Sequence, residues 1–141
     1  MSLDRQSQIE YLLEHFQHPH HRGAMPDADA HVEGGHPGCS DVITIYLKFN
    51  GNQLDQISFM GEGCTVSQAS ASILTDLVQG MSIRELEELD HTILVDELGE
   101  EVIRTRPRCS TLSLDVLKAA LREYRNKLRN MPSEQHRIIC E

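Results

Sequence analysis

The sequence is short of basic residues: 13 Lys and Arg stand against 22 Asp and Glu, a formal charge of -9 at pH 7. Proteins that hold phosphate backbones need the opposite balance, so general nucleic-acid binding is set aside. No apolar run approaches the roughly 20 residues that a membrane-spanning helix needs. The opening Met1-Ser2-Leu3-Asp4-Arg5 stretch lacks a signal peptide's apolar centre, and the expected location is the cytoplasm. There is no Cys-x-x-Cys pair, which removes zinc ribbons and thioredoxin-type redox motifs. There is no Gly-x-Ser-x-Gly either, so Ser67, Ser70 and Ser72 read as small hydroxyls on a tightly packed helix and not as hydrolase nucleophiles. No internal repeat or sustained heptad is visible.

What is present is an ordinary globular composition, 141 residues with 39% hydrophobic and 25% charged. That predicts one domain over residues 1–141, with 132–141 as a polar, mobile tail. Residues 7–16 space Ile9, Leu12, Leu13 and Phe16 along a helical stripe that Pro19 and Gly23 close. Ala30 to Glu33 predicts a brief strand before a Gly- and Pro-rich loop. From Asp41 to Phe49 apolar residues alternate, with Ile43, Ile45, Leu47 and Phe49 on one face. Asn50-Gly51 then supplies the chemistry of a tight hairpin, and 53–60 returns with Ile57 and Phe59 inward.

Gly61-Glu62-Gly63 breaks the strand, and 64–79 carries Val66, Ala69, Ile73 and Leu77 at helical intervals. Ser82 and Glu85 form a capping-box pattern that starts a short helix with Leu86 and Leu89 inward. Residues 92–108 carry no clear period. Beyond them Leu114, Leu117, Leu121, Tyr124 and Leu128 recur at three-to-four spacing, predicting a long C-terminal helix that stops before Pro132. Most basic residues lie between Arg104 and Arg137, and many acidic ones between Glu85 and Glu101, as solvated helix faces would.

Four cysteines in a reducing compartment point to metal binding or thiol chemistry more than to disulfides. Cys39 falls at a loop-to-strand junction, Cys64 and Cys109 at loop-to-helix junctions, and such ends can converge on one sheet edge. Helix N-termini favour thiolates, and Arg106 and Arg108 are expected to lower the Cys109 pKa further. Asp41, two positions after Cys39, shares its face of the strand and can supply a fourth, oxygen ligand. Such a set suits tetrahedral zinc or an iron-sulfur cluster, with the oxygen ligand as the place of exchange. Burial of the same cysteines as small hydrophobes is the plainer alternative, against which stand the Gly and Pro residues beside Cys39 and Cys64. Cys140 lies in the tail, outside every pattern. His15, His18, His20 and His21 form a His-rich run, read as imidazoles exposed by a helix end and turn.

Several segments resemble one family, the iron-sulfur cluster assembly scaffolds of the IscU, SufU and NifU N-terminal type. Tyr11 to Gly23 is similar to that family's opening helix and the segment after it. His36-Pro37-Gly38-Cys39-Ser40-Asp41, Gly61-Glu62-Gly63-Cys64 running to Ser72, and Arg108-Cys109-Ser110-Thr111-Leu112 follow in the family's order. The resemblance implies an α+β fold, a small antiparallel three-stranded sheet packed against helices, with a long C-terminal helix. It implies a site of Cys39, Asp41, Cys64 and Cys109, with no catalytic residues of an enzyme's kind. The implied partners are a cysteine desulfurase as sulfur donor and apo-iron-sulfur proteins as recipients. The implied cargo is a transient [2Fe-2S] cluster, or Zn2+ at the same residues.

Three departures from the family pattern mix features of its branches. Arg108 stands where the IscU branch has histidine, and Arg does not ligate metal, which favours Asp41 as fourth ligand. Val102 to Arg108 also replaces that branch's Leu-Pro-Pro-Val-Lys segment, recognised by a dedicated chaperone. The interval from Cys64 to Cys109 in turn leaves little room for the SufU branch's insertion. Two roles stay open: a scaffold that assembles and hands on a cluster, and a zinc-bound SufU-type component that relays persulfide without holding one.

Overall fold

The computed structural model describes residues 5–35 and 41–129. The chain order is α1 (Arg5–Gln17), β1 (Ala30–Gly35), β2 (Val42–Asn50), β3 (Gln53–Glu62), α2 (Thr65–Val78), α3 (Ile83–Glu87), α4 (Thr92–Leu98), α5 (Glu100–Thr105) and α6 (Pro107–Arg129). The three strands form an antiparallel sheet in the order β1-β2-β3. Val32, Ile43, Ile45, Leu47, Ile57 and Phe59 point from one face into the core, while His31, Thr44 and Tyr46 stay accessible on the other. Helices α2 and α6 cover the apolar face, and α1 lies against α2. Burying side chains of this size contributes about 1.5–3 kcal/mol each, which holds the two layers together. No helix among the described residues is long and apolar enough to cross a membrane.

The hairpin forms with its turn one residue later than the Asn-Gly pair suggests. Asn50 pairs with Gln53, so Gly51 and Asn52 are the central residues, and only Gly51 has positive φ, at 66°. That is the type II′ pattern, which needs glycine first. A bulge between Lys48 and Phe49 shifts the register, and Phe49, partly buried against the core as expected, stacks on Tyr124 of α6 at 4.3 Å between ring centroids. The Ser82 and Glu85 capping box is fully formed. Along α6, Leu114, Leu117 and Leu121 are buried, whereas Leu128 is left exposed near the helix end. Residues 92–105 form α4 and α5, joined at Gly99 (φ 93°), where an added Cβ would meet Gln8 Oε1 at 2.6 Å.

Helix α1 departs from the expected packing. Ile9, Leu13 and Phe16 are 42%, 42% and 39% exposed, while Leu12 and His15 are buried and Tyr11 packs on the core. The face that docks on α2 is polar because its partner is polar: His15 Nδ1 lies 2.6 Å from Ser72 Oγ. A buried imidazole with a partner costs less than one without, and this bond sets the rotation of the helix. The 132–141 tail lies outside the described residues.

Burial holds the His15 pKa below the ordinary histidine value; nearby His20 pushes the same way, and Asp76, Glu14 and Glu97 oppose them. The unfolded chain therefore takes up a proton that the folded one refuses. This contribution to stability is complete above the unfolded pKa near ~6.5 and is lost as pH falls toward the depressed folded value. The thermal midpoint of the wild-type protein should fall more steeply on acidification through this window than that of His15→Gln. Parallel pH profiles in calorimetric melts would show that His15 is not the group responsible.

Candidate functional site

Asp41 immediately precedes β2, and Val42 pairs with Glu62 at the end of β3. This register places the Asp41 carboxylate beside the link from β3 to α2. Gly63 in that link has φ 146°, and an added Cβ would collide with Asp41 Oδ1 and come within 2.8 Å of Ser67 Oγ. Only glycine lets the carboxylate approach so closely.

Cys64 is the N-cap of α2, yet its side chain makes no capping bond, and the sulfur faces Asp41 instead. Its backbone N–H donates to Asp41 Oδ1 at 2.9 Å, and its Sγ lies 3.8 Å from Oδ2. Ser67 Oγ donates back to Cys64 O at 3.1 Å and closes the first turn. Cys109 sits in the first turn of α6, which opens at Pro107, a residue whose missing N–H costs nothing there. Its Sγ is 2.8 Å from Asp41 Oδ2. Ser70 Oγ of α2 donates to Ser110 O at 2.6 Å, which fixes α6 against α2 at that level.

Asp41 and Cys109 are buried and Cys64 is half-buried. The donor atoms of the three lie within 4.8 Å of one another. Two of the three expected cysteines and the carboxylate thus converge; Cys39 and Cys140 lie outside the described residues. The expectation of an acidified Cys109 is overturned. Burial pushes its thiol up to about 12, helped by its hydrogen bonds to Asp41 and Cys64 and by the charges of those groups. Arg106 and Arg108 are exposed, where water screens them, so they do not offset this.

A buried carboxylate between two thiols is an arrangement that a soft cation completes. Thiolate repulsion and desolvation, which hold the proton on Cys109, reverse once a positive ion lies among the donors. Two sulfurs and one oxygen suit tetrahedral zinc or iron in a sulfur cluster. The buried hydroxyls of α2 all find partners, as expected of a packed helix, and Ser72 meets His15 and the backbone N–H of His20. Of the His-rich run, His18, His20 and His21 are exposed as expected, but His15 is not. His15, His20 and His21 gather around Asp76, a residue that no sequence pattern singled out. Only its position one helical turn after Ser72 could have hinted at it.

Residues 8–131 match the family described as NifU-like N terminal domain. The iron-sulfur cluster assembly scaffold protein IscU of Streptococcus pyogenes serotype M1 is 33% identical over 132 residues, covering 82% of each chain. Iron-sulfur cluster assembly scaffold protein IscU 1 of Archaeoglobus fulgidus is 32% identical over 116 residues, covering 82% of this chain and 75% of that protein. The crystal structure of a NifU-like protein's N-terminal region from Brucella abortus superposes with a TM-score of 0.73 over 88% of this chain and 99% of that one. At 19% identity this last likeness concerns the fold alone.

Two expectations follow from the geometry. Gly63→Ala should destabilise the protein by about 1–3 kcal/mol and displace the Asp41 carboxylate. Chemical denaturation reads the first effect and zinc affinity the second; wild-type values for both would mean that the link relaxes without cost. Zinc binding to metal-free protein should release the Cys109 proton, so affinity should rise by about tenfold per pH unit for each proton displaced. Calorimetry in buffers of differing ionisation enthalpy measures that release, and pH-independent affinity would remove Cys109 from the ligand set.

Proposed function

This chain belongs to the NifU-like N-terminal domain family, and from that premise we propose that it is an iron-sulfur cluster assembly scaffold whose ligands are Cys39, Asp41, Cys64 and Cys109. The observation that carries the reading is Asp41 Oδ2, which is buried and shared between the sulfurs of Cys64 and Cys109. Packing alone would bury those thiols among apolar neighbours and keep a carboxylate away from them.

Sulfane sulfur would come from a cysteine desulfurase persulfide and ferrous iron from solution. The iron and excess thiol such as free cysteine would supply the electrons that reduce the sulfur to sulfide, and the cargo would be a [2Fe-2S] cluster bound for apoproteins. The residues divide the work. Cys64 and Cys109 hold the soft ion, each fixed by the first turn of its helix. Asp41 would offer the one oxygen donor to a cluster otherwise held by thiolates, the donors that such clusters select, so its bond would be the weakest of the set and the first to exchange. Half-exposed Cys64 keeps the site open to a partner. In the zinc-bound alternative, a cysteine would leave the metal to attack a desulfurase persulfide and carry the sulfane sulfur itself.

Anaerobic incubation of metal-free protein with ferrous iron, cysteine and a cysteine desulfurase tests the proposal. Visible absorption should show a cluster that passes to an apo-ferredoxin. Absence of any cluster, while zinc-loaded protein stimulates the desulfurase and carries persulfide, would establish the alternative. Asp41→Ala should make the reconstituted cluster longer lived, whereas Cys64→Ser or Cys109→Ser should cut metal affinity by at least the ~10–100-fold that outer-shell changes cost. An unchanged or shortened lifetime in Asp41→Ala would count against exchange through the carboxylate.

A further inference from the structure

Asp76 lies twelve residues beyond Cys64, about 18 Å along the axis of α2 at 1.5 Å per residue. Around it stand three histidines supplied by α1 and the turn after it. His20 Nδ1 is 2.6 Å from Asp76 Oδ2, His15 Nε2 is 3.9 Å from the same oxygen, and His21 Nδ1 is 3.4 Å from Oδ1. From this geometry we infer a second site for a divalent transition metal ion, with His15 Nε2, His20 Nδ1 and an Asp76 oxygen as ligands, separate from the thiol site and independent of the proposed function.

The donor set is appropriate. Two imidazoles and one carboxylate with an open position suit borderline first-row ions such as Zn2+ and Fe2+. One donor atom from each of His15, His20 and Asp76 lies within 4.8 Å of the other two. Ligands at about 2.0–2.2 Å from one ion stand roughly 3–3.5 Å apart, so binding needs only small side-chain shifts. His20 must lengthen its approach to Asp76 and His15 must shorten its own.

The surroundings orient these donors as the outer shell of a metal site does. His15 Nδ1 is 2.6 Å from Ser72 Oγ, and the tautomer that donates Nδ1–H there leaves the Nε2 lone pair toward Asp76. The same Ser72 oxygen accepts the backbone N–H of His20 at 2.7 Å, so one hydroxyl positions both histidines. The turn is anchored on the free edge of β3, where Phe59 N–H donates to His21 O at 3.0 Å and Gly23 N–H to Phe59 O at 2.8 Å. His21 is the one described non-glycine residue with positive φ, 59°, and its ring is held 3.0 Å from Thr75 Oγ1.

Access is also right for an ion that exchanges. The side chain of His15 is 4% exposed and forms the floor, while those of His20 and Asp76, at 47% and 34%, leave one side to water. Direct histidine-to-carboxylate pairing that ties α1 to α2 without metal is the competing explanation, and it predicts no ion.

The test uses the full chain, anaerobic and metal-free, titrated with Co2+ and separately with Zn2+. The wild-type protein should bind one equivalent with the near-ultraviolet thiolate-to-cobalt band and a further equivalent without it. During the further equivalent, long-range proton-nitrogen NMR should show the ring nitrogens of His15 and His20 shifting. His20→Ala and Asp76→Asn, both accessible positions, should weaken that equivalent by about tenfold or more and leave the thiolate band intact. The inference is overturned if wild-type protein binds nothing beyond the thiolate-bound ion with its histidine resonances unmoved, or if both variants retain the further equivalent. Loss of the thiolate band alone would bear on the scaffold reading and not on this site.

Discussion

Helix α2 is buried from Ser67 through Thr75 on almost every side, and the rest of the structure depends on how that burial is made tolerable. A buried helix with this many hydroxyls is stable only if each finds a partner, because an unpaired polar group in the interior costs about 1–3 kcal/mol. Here the partners come from the neighbouring elements. Ser70 donates to the backbone of α6, Ser72 meets α1 and the turn after it, and Thr75 Oγ1, which also donates to Ser72 O within the helix, lies 3.0 Å from His21 Nδ1 in that turn. The hydroxyls that satisfy the helix also fix what packs on it. Small residues at Ala69, Ser70 and Ala71 allow the close approach that makes those bonds short.

Both clusters of ligand-type side chains are consequences of that placement. At its N-terminal end α2 presents Cys64 to Asp41, with Gly63 giving room for the carboxylate. At its C-terminal end it presents Asp76 to three histidines. The ends differ in their donors. One end offers two sulfurs and a carboxylate in a half-closed pocket, the other imidazoles and a carboxylate with one side open to water. The high pKa of Cys109 belongs to the same placement, since burial against Asp41 and Cys64 makes the thiol hold its proton.

Much of the scaffold was legible in the chain because it rests on local signals. The alternation of Ile43, Ile45 and Leu47, the Ser82 and Glu85 cap and the Leu114, Leu117, Leu121 stripe all took the form their periods demand. The family's cysteine motifs were legible for a different reason: they are contiguous runs such as Gly61-Glu62-Gly63-Cys64, in which Gly63 is a backbone requirement beside the cysteine. Residues 92–105 were not legible. Two short helices around a positive-φ glycine have no period long enough to detect, and α4 is fixed through buried Leu94 and Leu98.

The sequence by itself determined the sheet, the long C-terminal helix and the family, because these follow from side-chain alternation, helical spacing and contiguous motifs. Tertiary structure alone decided which face of α1 turns inward, how tightly Cys109 holds its proton and that Asp76 meets His15, His20 and His21. Hydrophobic periodicity reports where apolar groups lie on an element, but not whether the surface opposite offers a hydroxyl. The Ser72 oxygen rotates α1 away from its own apolar stripe. Proton affinity and metal-ligand geometry depend on groups brought together through space, and fifty or more residues of chain separate His15, His20 and His21 from Asp76.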